Sequence, residues 1–137
     1  AEREVLEQER FFSKNFYAMD TETNGLRYHE PLQIAIVLYV DGEEVDRYSE
    51  YFKAEHGSTE RALEIHGLTK KKLAELKAKR FKLKQSLVLL KFLMKRESLP
   101  IVAINVEHDR DKVLKPALTK AGTGSVILED NRWRCAQ

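Results

Sequence analysis

The chain has 137 residues, 42% hydrophobic and 34% charged, with a net charge of +2. That composition fits one folded domain and excludes a disordered chain. The longest nearly apolar stretches, residues 32–40 and 87–94, fall far short of the ~20 residues that cross a bilayer, so no membrane association is expected. The small net charge hides an asymmetry. Residues 1–66 hold 15 acidic and 7 basic side chains, and residues 67–137 hold 7 acidic and 17 basic. The split is compatible with an acidic metal pocket beside a basic nucleic-acid track, and equally with a basic surface helix. A single cysteine, Cys135, cannot form an internal disulfide, which points to a reducing, intracellular compartment, cytoplasmic or nuclear. No basic leader with an apolar run opens the chain, and it lacks an initiator Met. A fragment or processed chain without a secretion signal is therefore expected.

In chain order, residues 1–14 read as a charged helical lead-in carrying Val5, Leu6, Phe11 and Phe12. Residues 16–19 form a short apolar run ending at Asp20, a strand candidate. Residues 32–40 are almost continuously apolar, which implies a strand covered on both faces. Asp41-Gly42 signals a tight hairpin, with a return strand at 44–52. Ser58 or Thr59 can cap a short helix through His66, ended by Gly67, and Thr69 can cap a second. Apolar positions 83, 87, 90 and 94, and again 81, 88 and 92, predict a long helix over 81–96 buried on most of its surface. Residues 100–104 read as a core strand and 109–121 as a helix stopped by Gly122, bent or confined by Pro116. A strand at 126–128 and an apolar patch at Trp133 follow. With no repeat and no linker, the expectation is one domain over 1–137: an α/β mixed sheet of about five strands flanked by helices.

The chemistry concentrates at Asp20 and Glu22. If strand geometry continues through Glu22, both carboxylates share a face, ~6.6 Å apart along the strand at ~3.3 Å per residue. Two carboxylates so placed repel unless a cation sits between them. The plain alternative, that they begin a solvated loop, stays open on spacing alone.

Asp20-Thr-Glu22-Thr-Asn-Gly25-Leu26 resembles the first motif of the DEDD (DEDDh-type, DnaQ-like) 3′→5′ exonucleases, usually D-x-E-T-T-G-L, with Asn24 in place of the second Thr. Gln33-Ile34-Ala35, Ile65-His66-Gly67-Leu68-Thr69 and Val102-Ala103-Ile104-Asn105-Val106-Glu107-His108-Asp109 follow in family order. The last is similar to V-A-H-N-x-x-F-D, with Ile104 and His108 as departures. The resemblance implies a ribonuclease-H-like fold and hydrolysis of DNA or RNA from a free 3′ end to nucleoside 5′-monophosphates. It implies two Mg²⁺ or Mn²⁺ ions, about 3.5–4 Å apart. Asp20 would bridge both, Glu22 would hold the first and Asp109 the second. Thr23, Asn24, Gly25, Leu26, His66, Asn105 and His108 become candidate substrate contacts. His66 has a competing reading as a histidine at a helix C-terminus, and Gly25 as a plain turn residue.

The family's third motif, H-x-x-x-x-D, supplies the general-base His and a fourth carboxylate. None of the four histidines, 29, 56, 66 and 108, has an Asp five residues later. The domain is therefore expected to be C-terminally incomplete, completed by further domains of a longer protein or by a partner chain. A catalytically inactive nucleic-acid-binding or scaffolding module is the alternative; a ribonuclease-H-type endonuclease is disfavoured by the His-Gly-Leu-Thr loop. The run at 70–84 holds eight cations and one anion, Glu75, and reads either as a solvated face or as a phosphate contact.

Overall fold

Phe16, Tyr17, Ala18 and Met19 are all buried, so the first strand, β1 (Phe16–Thr23), is covered on both faces before it reaches Asp20. The computed structural model describes residues 14–124 and 131–136. The lead-in expected over 1–14 (Lys14 apart) and the strand expected at 126–128 lie outside those residues. Strand alternation sends Tyr17 and Met19 to one face of the sheet, with Ile34, Ile36, Leu89 and Leu114. Phe16 and Ala18 go to the other, with Val37, Tyr39 and Val102.

β2 (Pro31–Val40) and β3 (Glu43–Lys53) continue the sheet as an antiparallel hairpin. The turn between them puts Asp41 and Gly42 at φ 55° and 79°, the left-handed pair that Asp-Gly readily adopts. β5 (Ile101–Ala103) runs parallel to β1, and β6 (Trp133–Cys135) parallel to β5. A two-residue strand, β4 (Lys79–Arg80), lies parallel to the end of β3. Among the described residues the sheet thus has six strands, in the order β4-β3-β2-β1-β5-β6.

Cap chemistry sets the short helices. Thr59 accepts the Ala62 N–H at the start of α1 (Glu60–His66), and Gly67 closes it at φ 64°. Thr69 accepts the Lys72 N–H at the start of α2 (Lys70–Glu75). The long helix is α3 (Leu83–Met94), and here the sequence expectation is corrected. Only Ser86, Leu89, Phe92 and Leu93 are buried, whereas Leu83, Leu87, Val88 and Met94 are 45–55% exposed. The helix lays one face on the sheet, and no described element covers its back. Its C-terminal carbonyls are satisfied from a distance. Tyr17 Oη donates to the Phe92 carbonyl (2.8 Å) and accepts from the Arg96 N–H (3.1 Å). Buried Arg132 donates to the carbonyls of Leu93, Arg96 and Leu99. These are groups a helix end otherwise leaves orphaned.

The last helical segment is wound as a π-helix over Glu107–Leu114 and continues as α4 (Lys115–Ala121), closed by Gly122 at φ 92°. The wide turns precede Pro116, which has no N–H to give and crowds the carbonyl four residues back. Among the described residues no helix is long and apolar enough to cross a membrane.

Candidate active site

Because β1 and β5 are parallel, with Met19 opposite Ala103, both deliver their next residues to the same end of the sheet. β1 runs on through Glu22, opposite Gln33, before its register shifts at Thr23. Asp20 and Glu22 therefore share a face, as period-two geometry requires. Beyond β5, the Asn105 side chain accepts the His108 N–H (3.1 Å) and its carbonyl accepts the Asp109 N–H (2.9 Å). That cap starts the helical segment and swings Asp109 back toward β1. Asp109 is buried, and its Oδ1 accepts the Thr21 hydroxyl at 2.7 Å.

The three carboxylates sense one another. Burial raises Glu22 above its ordinary value and Asp20 and Asp109 push it further, while His66 opposes them. Burial likewise raises Asp109; the Thr21 hydrogen bond and His108 pull it down, and Asp20 pushes it up. Clustered negative charge removed from water is relieved by a cation, and an all-oxygen donor set suits a hard one such as Mg²⁺ or Mn²⁺. The residues present fit such an ion. Their oxygens are nevertheless spread. Among the described residues the one trio with ligand atoms all within 4.8 Å of one another is Glu30, Glu55 and His56.

That trio is architectural. Burial would raise Glu30, but donors outweigh it and hold its carboxyl below the ordinary value. Those donors are the Glu55 and His56 N–H groups (3.0 and 3.1 Å) and Asn24 Nδ2 (2.9 Å), with His56 Nδ1 in hydrogen-bond contact at 2.8 Å. Glu55 is itself paired with Lys120 at 3.0 Å.

The loop after β1 divides the remaining candidates. Asn24 is 1% exposed, and its side chain is spent internally: Nδ2 donates to Glu30 and to the His56 carbonyl, and Oδ1 accepts the Glu30 N–H. The amide supplies two N–H donors, spent on Glu30 and on the His56 carbonyl, where a Thr hydroxyl has one proton to give. Gly25 sits at φ 117°, and a Cβ there would lie 2.6 Å from Thr59 Oγ1, so glycine is required twice over. Leu26 is 77% exposed, an apolar side chain standing in solvent on the loop after β1. Thr23 Oγ1 accepts the Gly25 N–H. His66 Nε2 donates to the Thr23 carbonyl (2.8 Å) and Nδ1 accepts the Leu68 N–H (2.9 Å). Both ring nitrogens are occupied, so His66 clasps the end of β1 to the end of α1. His108 packs edge-on against His29, ring centroids 5.5 Å apart.

Two residues escaped the sequence reading. Thr21, the variable position between the two acids, holds Asp109. Glu30 organises the loop, with donors from two segments separated by 25 or so residues, so no local pattern could flag it.

The exonuclease family model (RNase T type) matches residues 17–120. No curated protein matches the chain. Among solved structures, it is similar to exonuclease X in complex with 5′-overhanging duplex DNA, at 24% identity and a TM-score of 0.55, covering 72% of this chain and 53% of that one. A 3′-exonuclease recognising a histone mRNA stem-loop gives 19% identity and a TM-score of 0.59, covering 77% and 52%. E. coli exonuclease I with a dT13 oligonucleotide gives 15% and 0.69, covering 88% and 26%. The chain thus spans about half the length of the first two and a quarter of the third, and it shares their ribonuclease-H-like fold. With its three acids in motif order and a family match across most of its length, the chain belongs to the RNase T exonuclease family of the DEDD superfamily.

Proposed function

We propose that this chain forms a metal-dependent 3′→5′ exonuclease domain, acting inside the cell on DNA or RNA with a free 3′ end and releasing nucleoside 5′-monophosphates. The observation that carries the proposal is that Asp20, Glu22 and Asp109 lie at one end of the β1–β5 pair, with Glu22 and Asp109 both raised by burial and, further, by the charge of Asp20. Asp20, Glu22 and Asp109 would hold the Mg²⁺ or Mn²⁺ ions, whose chemistry when bound is to polarise the phosphate and activate water.

The chain's own residues do the rest. Thr21 fixes the Asp109 carboxylate, and His66 fixes the Thr23 backbone. Leu26, exposed on the loop that follows Glu22, offers an apolar surface to a terminal base. His66 does not act as the general base in this arrangement, since both of its nitrogens are engaged.

The test is degradation of labelled oligonucleotides with Mg²⁺ or Mn²⁺ supplied. Stepwise shortening from the 3′ end, protection by a 3′ block and complete loss in Asp20→Ala are expected. Internal fragments from a blocked substrate would mark an endonuclease, and binding without any cutting would leave the binding module.

A further inference from the structure

On the helix-covered face, at the same end of the sheet as the carboxylates, lies a groove of about 720 Å³. It opens where the start of α3 and the body of α4 diverge above Pro31. Its floor is apolar, with Pro31, Phe81, Val113 and Pro116 among its residues. Its rim is basic. Lys53 and Arg80 are register partners across the parallel β3–β4 pair, so their side chains leave the same face, ~4.8 Å apart. Lys82 follows two residues on, ~6.6 Å further along extended backbone. All three are exposed and line the groove. Among the described residues none of them has a carboxylate at ion-pair distance, whereas Lys95, Arg110 and Lys120 do. The acids in the groove wall, Glu30 and Glu55, are already satisfied by hydrogen bonds and by Lys120.

Two features give the groove a direction. His29 lines it and packs on His108, the neighbour of Asp109, so its wall adjoins the candidate metal centre. Tyr28 and His56, also lining it, stack with centroids 3.6 Å apart and planes 7° apart, and the Arg27 guanidinium lies 5.3 Å from the Tyr28 centroid, an aromatic pair with a cation at that end of the groove.

We infer that this groove is a second nucleic-acid contact, holding a single-stranded segment of DNA or RNA away from the cleaved end through Lys53, Arg80 and Lys82. The inference rests on the reading of the chain as a nucleic-acid enzyme, but it does not depend on cleavage. It assigns a role to part of the basic run at 70–84, and it explains why a two-residue strand is kept at the sheet edge: β4 brings Arg80 alongside Lys53.

The test is fluorescence-anisotropy binding of a 3′-blocked single-stranded 12-mer in metal-chelating buffer, across a salt series. Each phosphate contact on a single strand contributes about 0.7 to the slope of log affinity against log salt. The Lys53→Ala/Arg80→Ala/Lys82→Ala variant should lose about 2 from that slope, with its melting temperature checked to show that it folds. An unchanged slope overturns the inference. So does tighter binding of an acidic, phenylalanine-containing peptide to the wild type than to the triple variant while the oligonucleotide slope is the same for both; that outcome assigns the groove to a protein segment. Because no divalent ion is present, failure of the metal centre would show only in the cleavage assay.

Discussion

The two segments that build the candidate centre are held in different ways. The end of β1 is fixed by strand geometry, by pairing with β2 through Thr23 and by a closed loop. Asn24, Gly25 and Glu30 tie that loop to residues 55–59. The segment after β5 is a π-helix, and its acid depends on one hydroxyl, Thr21, for its position. The first segment keeps the family pattern nearly whole, while the second departs from it at Ile104 and His108. Two carboxylates two residues apart on a strand are placed by the backbone itself. An acid at the third residue of a helix is placed by helical register, and register changes with every widened turn.

The largest effect should come from the rigid side. Gly25→Ala must place a Cβ 2.6 Å from Thr59 Oγ1 at φ 117°, combining left-handed strain with overpacking at the N-cap of α1. A loss of about 2–4 kcal/mol in unfolding free energy is expected. Denaturant titration checks it, and a loss under about 0.5 kcal/mol would mean that the loop yields and is not the rigid member of the pair. On the other side, Thr21→Val removes the hydroxyl from Asp109 while keeping the strand. A hydrogen bond to a charged group is worth about 1.5–3 kcal/mol. Weaker Mn²⁺ binding is expected alongside reduced stability, read by calorimetry; unchanged Mn²⁺ affinity would show that Asp109 is positioned by packing alone.

This contrast also explains what the sequence disclosed. Local chemistry was legible: the Asp41-Gly42 turn, the Thr59 and Thr69 caps, the Gly67 and Gly122 stops, and the shared face of Asp20 and Glu22. Each depends on a few adjacent residues. What depended on distant partners was not legible. β4 exists because Lys79 and Arg80 meet the edge of β3, and nothing in a lysine-rich run announces a strand. Arg132 caps a helix almost forty residues earlier in the chain. The apolar positions 83, 87, 90 and 94 and again 81, 88 and 92 predict a helix buried on most of its surface, but the sheet covers one side of α3, and Leu83, Leu87, Val88 and Met94, drawn from both sets, stay exposed. Asn24 was expected to touch substrate, and its burial beneath the loop followed from Glu30. The metal-site position of Asp109 was drawn from family resemblance, because no periodicity links it to Asp20.

The smallest effect is the most discriminating. Burial raises Asp109 above its ordinary value of 3.8 despite the opposing pull of Thr21 and His108, and it raises Glu22 above 4.5, with Asp20 pushing further. An acid with a raised pKa in the folded state holds its proton more tightly folded than unfolded. As pH climbs through the ordinary carboxylate range, the unfolded chain releases protons first, so stability falls with rising pH until the folded pKa is passed, then levels. Asp109→Asn mimics the protonated acid and still offers an oxygen to Thr21. Without metal, its melting temperature should match the wild type near pH 4 and exceed it by a few degrees at pH 7. Adding Mn²⁺ should reverse the order at pH 7, because binding stabilises only a chain that holds the ion. A wild type more stable than Asp109→Asn at pH 7 without metal would show that the carboxylate is paid for by Thr21 and His108 alone, leaving no uncompensated charge for a cation to relieve.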